Sequence, residues 1–360
     1  MPLGNPLYAA LKANRHRFAT EEIVRLFRSV DERRIDALAR NLSLYLNTNL
    51  PAAFEKREGI ADYRTNPYVL MTGASVMRLS DPGAFAKFLF NTKLYMALET
   101  SFGKSVEAAL VAPYPIGSGE KWVDPPEKDA ESSALKGLSL EARARRRTES
   151  IWREIDKSCV VGGKRYLTSI KSGPNTINDT QVQAMTRAII DNHAHWLQQT
   201  RRNYSGVGEV DIVIGLTYGT DRTTNNKENQ ILVKLLEHGF VEEDRRAKPG
   251  VLVDRETGTL RIYRRIGQDF WAFIGNPSEP RSTLFVFLEI LLGLAKALSK
   301  GIKAGDLEER INERIRGLAT ALARLQFPRD SLPEWIRKDF SEEELFWFAT
   351  SMTAFFDEGI

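Results

Sequence analysis

Residues Arg153 to Lys171 read R-E-I-D-K-S-C-V-V-G-G-K-R-Y-L-T-S-I-K, and the reading of this stretch decides the fold. Two strand-like runs meet at Gly162-Gly163, one of the few dipeptides that supplies positive φ at both central positions of a tight hairpin turn. With those glycines as the loop, pairing runs outward until Asp156 faces Ser169. Directly opposed residues share a face of the ladder, as do residues two apart on one strand. Asp156, Ser169 and Lys171 therefore form one polar patch. Ile155, Cys159, Val161, Tyr166, Thr168 and Ile170 fall on the other face, which is core-facing apart from Lys157 and Lys164.

An acid and an amine side by side on a strand pair suit metal-dependent phosphodiester hydrolysis. The carboxylate can hold a hard cation such as Mg²⁺, and the ammonium can position the attacking water and offset phosphate charge. Asp156, then Ser169-Ile170-Lys171, then S-G-P-N-T-I-N and a helix, resembles the PD-(D/E)XK nuclease core of type II restriction endonucleases. Ser169 departs from that pattern, which has Asp or Glu there. A hydroxyl is a poor substitute for a carboxylate as a Mg²⁺ ligand, so a second acid must come from elsewhere.

The upstream segment E-T-S-F-G-K-S-V-E-A-A-L, Glu99 to Leu110, reads as a helix with Thr100 as its N-cap. On helical spacing Glu107 shares a side with Gly103, Leu110 and Val111, where a carboxylate is costly unless something claims it, and an ordinary salt bridge to Lys104 is the plain reading. In its context, with N-P-Y-V-L at Asn66 to Leu70, F-G-K-S-V-E resembles the helix that precedes the catalytic hairpin in these enzymes. The resemblance makes Glu107 the second metal-site acid, with Glu149 and Glu154 in reserve. It gives Asp156 the metal carboxylate, Lys171 the action on water, the Ile170 carbonyl a further metal contact, and Ser169 at most a water-mediated one. Glu154 would face Lys171 in the hairpin register, where a cross-strand ion pair is the plainer role.

The chain has 360 residues, 42% hydrophobic, with a net charge of +4 and a pI near 9.0. That excess permits a nucleic-acid partner without requiring one. The single cysteine, Cys159, excludes an internal disulfide framework and a Cys-rich zinc site, and fits a cytoplasmic location. The N-terminus lacks a secretory pattern. The most apolar run, Thr283 to Leu298, carries Glu289 and Lys296 and is too short to cross a bilayer, so no membrane role is expected.

Patterning and the resemblance together suggest three regions: a helical N-terminal region (1–98), a core (99–276) that the resemblance makes nuclease-like, and a C-terminal helical region (277–360) that it makes a candidate dimerisation or DNA-clamping part. Pro82 to about Leu98 reads as a helix, and Pro113 to Ser133 as a loop, with 113–137 mobile. G-S-G-E-K lacks the spacing of a phosphate loop. The run from Arg143 to Arg147, Arg146 among it, is a solvated helix face or a phosphate grip. Asn178 and Gln181 suggest a capping box opening a helix to Arg202. His193 and His195, two apart, fall on different helix faces and are no metal pair. Glu209 to Tyr218 is a buried parallel strand. In the loop Gly219 to Gln230, Arg222, Asn225, Asn226 and Lys227 are of the types that read base edges, and Asn175 joins them as a DNA contact; a plain exposed loop is the equal alternative. Val251 to Arg264 reads as a second hairpin. The aromatics of Gly267 to Asn276 read as core.

The expected fold is thus α/β (α+β), a restriction-endonuclease-like mixed central sheet flanked by helices, with helical ends. The resemblance implies Mg²⁺-dependent, sequence-specific cleavage of double-stranded DNA leaving 5′-phosphate ends, by a homodimer, with a cognate DNA methyltransferase in the same cell. A repair or recombination nuclease on the same core, and a DNA-binding protein that has lost catalysis, are the alternatives.

Overall fold

In the computed structural model the strands β1 (Lys157–Val161), β2 (Lys164–Lys171), β3 (Glu209–Leu216), β4 (Val241–Glu243), β5 (Leu252–Asp254) and β6 (Leu260–Ile266) form one open mixed sheet, ordered β1-β2-β3-β6-β5-β4. The described residues are 66–109, 122–134, 137–173, 177–247, 249–275, 277, 283–301, 304–325 and 329–357, with 27, 28, 30, 32, 33, 35–40, 42, 43, 47 and 63. The Gly-Gly turn forms as expected. Gly162 and Gly163 have φ of +60° and +73°, left-handed values that cost glycine nothing. Val161 faces Lys164 and Lys157 faces Thr168. The Asp156 N–H donates to the Thr168 carbonyl at 2.9 Å, on the residue that Lys157 already faces, so the pairing slips at Asp156, which does not continue the expected register opposite Ser169.

β3 lies parallel to β2, with Ser169 opposite Ile214 and Lys171 opposite Leu216. β6 is parallel to β3, and β5 antiparallel to β6. A central parallel strand needs cover on both faces, and helices α1 (Pro67–Met77), α2 (Pro82–Ala109), α3 (Pro126–Ala134), α4 (Leu140–Glu149), α5 (Asp179–Asn203), α6 (Lys227–His238) and α7 (Gln268–Gly275) include those that give it. On one face Leu167, Val210, Ile212, Ile214 and Ile262 cluster with Val182, Met185, Ile189 and Trp196 of α5 and with Ile231, Leu232 and Leu235 of α6. On the other, Tyr166 and Trp122 each meet Phe273 of α7 edge-on, at 5.6 and 5.3 Å. Both faces of the hairpin are therefore buried, not one. Ser169 is fully enclosed, and the polar patch is confined to the end of β2.

Local rules account for α5. Asn178 accepts from the Gln181 N–H at 2.9 Å and the Gln181 side chain accepts from the Asn178 N–H at 3.0 Å, a reciprocal cap. Four corrections follow. Pro126–Ala134 is helix, not loop: its proline occupies the first turn, where a missing N–H costs nothing, and its polar side chains are spent on buried partners. The helices read separately around Thr100 are one, because nothing between Leu98 and Phe102 breaks the backbone. Ile155 precedes β1 and packs with Trp152 and Leu167 on the α5 side, against its expected face. Lys227 opens α6, so the supposed loop ends at Asn226, which stands in the left-handed region at φ 61°.

By compactness the chain divides into two units, 1–43 with 102–298 and 44–101 with 299–360. The sheet belongs to the first. In the second, Leu70, Ala74, Phe85, Leu89 and Phe90 pack with Leu318 and Leu322 of α9 (Ala304–Ala323) and Trp347 of α11 (Glu342–Asp357), and the Trp347 indole N–H donates to the Leu79 carbonyl at 2.8 Å. Between these helices in sequence lies α10 (Glu334–Asp339), and α8 is Thr283–Gly301. Among the described residues no helix is long and apolar enough to cross a membrane.

Candidate active site

β2, β3 and β6 run in one direction, so their C-terminal ends share one edge of the sheet, the edge where open α/β sheets carry their sites. Lys171 ends β2 there. The loops leaving β2 and β3 are tied together: the Thr217 hydroxyl donates to the Ser172 carbonyl at 2.6 Å, and the Asn225 side-chain amide to the Ile177 carbonyl at 2.9 Å.

Asp156 is anchored beside this edge. Its Oδ2 accepts from the Ile170 N–H at 2.6 Å. Burial pushes its carboxyl above the ordinary range, and Glu154 adds to that push; Lys171, the Ile170 N–H and Lys128 pull the other way. Lys171 acts on Asp156 and also stands 3.9 Å from Glu154, the cross-strand pair anticipated for that glutamate. Glu107, near the end of α2, is raised by burial first and by Asp156 second, with Lys157 and Lys128 opposing. The helix-borne acid and the hairpin acid thus act on one another across 49 residues of chain (107 to 156).

Four carboxylates, Glu107, Asp124, Glu154 and Asp156, share this region with three ammoniums, Lys128, Lys157 and Lys171. Lys157, 2% exposed, is committed to an ion pair with Asp124. Removing that pair leaves three acids against two bases. The excess negative charge and the two raised carboxyls are what a hard divalent cation relieves. Among the described residues no three His, Cys, Asp or Glu side chains converge to hold a metal alone. Mg²⁺ commonly takes only one or two carboxylates and fills its shell with water and phosphate oxygens, so Glu107 and Asp156 fit it. The Ser169 hydroxyl is buried in β2 and without a hydrogen-bond partner among the described residues. Ile170 shows its N–H to Asp156 rather than a demonstrated carbonyl contact.

Glu149, the other reserve acid, pairs with Arg145 at 3.1 Å on an exposed helix face. Arg222 projects an exposed guanidinium that no acid claims among the described residues. Asn225 and Lys227 are partly engaged, Asn225 in the loop tie and Lys227 in an ion pair with Asp179. Asn226 is exposed. Asn175 and the side chain of Arg146 lie outside the described residues. His193 stacks on Phe240 at 4.4 Å, a packing role. A cavity of about 790 Å³ sits on the sheet face that carries α7, lined by Tyr166, Asp211, Arg261, Tyr263 and Arg265 among others. Most of its charges are already paired, Arg261 with Glu209 and Asp244, and Lys164 with Glu209 and Asp211.

Sequence reasoning missed Lys128. It lies in a segment whose composition reads as loop, and it enters the site only because α3 forms; its Nζ donates to the Ile155 carbonyl at 3.1 Å.

No family model matches the chain, and no curated protein matches it at a significant level.

Proposed function

We propose that this protein is a Mg²⁺-dependent endonuclease with a PD-(D/E)XK-type, restriction-endonuclease-like core, acting on double-stranded DNA at a short specific sequence. The observation that carries the reading is the buried Asp156 carboxyl, held by the Ile170 N–H at 2.6 Å near the end of β2 and under the influence of Lys171 on one side and Glu107 on the other. Asp156 and Glu107 would hold Mg²⁺, which, when bound, supplies Lewis-acid stabilisation of charge on the phosphate. Lys171 orients the water and its ammonium offsets negative charge during attack on phosphorus, which leaves 5′-phosphate and 3′-hydroxyl ends. The Ile170 N–H fixes one oxygen of the Asp156 carboxylate, leaving the other for the cation. Arg222 and the neighbouring Asn225 and Asn226 meet the DNA from the adjoining loop.

Two-fold symmetry in the target implies a homodimer, and a site-specific cutter in the cytoplasm implies a cognate methyltransferase that protects the host sequence. Incubating the protein with plasmid and Mg²⁺ tests the reading: discrete fragments that vanish in chelator are expected. Cleavage that follows DNA structure rather than sequence would point to a repair nuclease. Ser169, in the place of an acid, favours a second reading, DNA binding without cleavage, which retention on DNA with no cutting would select.

A further inference from the structure

Arg165 of β2 is fully buried. Its Nε donates to Ser158 Oγ at 3.0 Å, Nη1 to Thr200 Oγ1 at 3.3 Å, and both Nη atoms to Glu127 at 3.0 and 2.8 Å. Its guanidinium lies 5.3 Å from the Trp152 ring centre and 4.7 Å from that of Tyr204. This clamp fixes the first turn of α3 to the hairpin, and the residue after Glu127 is Lys128. A clamped backbone leaves the lysine little freedom beyond its own side chain.

Lys128 differs from the neighbouring lysines. Lys157 sits on Asp124 and Lys171 on Glu154, but the one hydrogen-bond partner of Lys128 among the described residues is the Ile155 carbonyl, the peptide group leading into Asp156. An ammonium has three donors, so two remain. They stand half-buried beside the two acids whose carboxyls they influence, without closing an ion pair on either. A cation held this way is set for an anion that arrives with the substrate.

We propose that Lys128 is a second phosphate-binding ammonium of the site, delivered by the Arg165–Glu127 clamp and contacting the phosphate at or next to the bond that Asp156 and Lys171 address. The assignment rests on the nuclease reading. Lys171 handles water and Lys128 handles phosphate oxygen, so the two lysines divide what one could not reach.

The full-length protein, a duplex oligonucleotide carrying its cleavage site and Mg²⁺ supply the test, with DNA affinity measured separately in chelator over a range of salt. Lys128→Met is expected to lower kcat about 100-fold, the scale of losing one preorganised charge contact, and to reduce the slope of log Kd against log salt by about one. Lys128→Arg should restore most of both. Should Lys128→Met not fold, Lys128→Gln keeps a donor for the Ile155 carbonyl without the charge. A wild-type kcat and salt slope in the neutral variant overturns the proposal. So does a fall in kcat with an unchanged slope and no rescue by arginine, which would make Lys128 a support for Ile155 only. If the wild type binds DNA but never cuts, the nuclease reading fails, and the salt slope still decides whether Lys128 meets phosphate.

Discussion

Replacing Arg165 by methionine keeps a long apolar side chain between Trp152 and Tyr204 but strips Glu127 of its bidentate partner. Arg165 is fully buried and the Glu127 side chain is 11% exposed, so an acid would be left enclosed with Asn203 and its own backbone N–H to hydrogen-bond it and no cation to pair with. Breaking one side of a buried pair costs about 3–5 kcal/mol, because the remaining charge keeps its desolvation penalty. Urea unfolding at neutral pH is expected to show that loss. Arg165→Met with Glu127→Leu should recover much of it, since no charge is stranded. The acid limb adds a signed check. Burial raises the Glu127 carboxyl, but hydrogen bonds from Arg165 and Asn203 prevail and hold it below its ordinary value of 4.5. A lowered native value contributes stability above pH 4.5, and that contribution is lost as pH falls through the native value. The wild type should therefore weaken over that acid window more steeply than Arg165→Met. A single-variant loss under about 1 kcal/mol, or a double variant no better than the single, would refute the clamp.

Asp156→Asn should abolish cleavage yet stabilise the metal-free protein at pH 7: the native carboxyl is raised, so its penalty is full above that raised value and fades as pH falls through it toward 3.8. Melting temperature against pH in chelator reads this, and a variant less stable than wild type at pH 7 contradicts it; Mg²⁺ should raise the wild-type melting temperature and leave the variant's unchanged. Lys171→Ala should lose cutting while gel-shift affinity for DNA stays within about threefold, the scale of one exposed charge pair. Glu107→Gln should be equally inactive, and normal cutting by it would pass the second-acid role to Glu154, the reserve acid that lies by Lys171. Gly215→Ala should destabilise by about 1–3 kcal/mol or more, since its Cβ would stand 2.4 Å from a ring carbon of the fully buried Phe270; calorimetry within about 0.5 kcal/mol of wild type would show that α7 yields.

What was legible in the sequence was what neighbours in the chain decide. Two glycines set a register, a capping box starts α5, and the apolar run at Glu209 marks a strand with cover on both faces. The site was legible less far: pairing rules bring Asp156 and Lys171 to one end of the hairpin and Glu154 to within 3.9 Å of Lys171, but the slip that bonds Asp156 to Thr168 instead of placing it opposite Ser169 carries no local signal. The rest depends on contacts between segments far apart. Lys128 reaches Ile155 across 27 positions and Arg165 reaches Glu127 across 38, and neither end carries a local signal. A polar, proline-bearing segment reads as loop until a buried arginine is known to await its glutamate. Lys227 misled for a related reason, because a polar first turn hides the apolar positions Ile231, Leu232 and Leu235 that make α6 a helix.

The serine at 169 has a physical rationale on the nuclease reading. That position is fully enclosed, and Asp156, close by, is already raised by burial and by Glu154. A carboxylate at 169 would add another negative charge in a medium that disfavours each one, and the hairpin would carry that cost whenever the cation was absent. Placing the second acid on α2 instead puts Glu107 on a separate element, nearer water than residue 169. On that reading the folded sheet keeps one buried acid at the site, the helix supplies the other, and a cation would relieve the repulsion between the two. If the proposed activity holds, affinity for Mg²⁺ and stability without it are separable, so Asp156→Asn and Glu107→Gln should both abolish cleavage while Asp156→Asn, at the more deeply buried acid, gives the larger rise in metal-free stability.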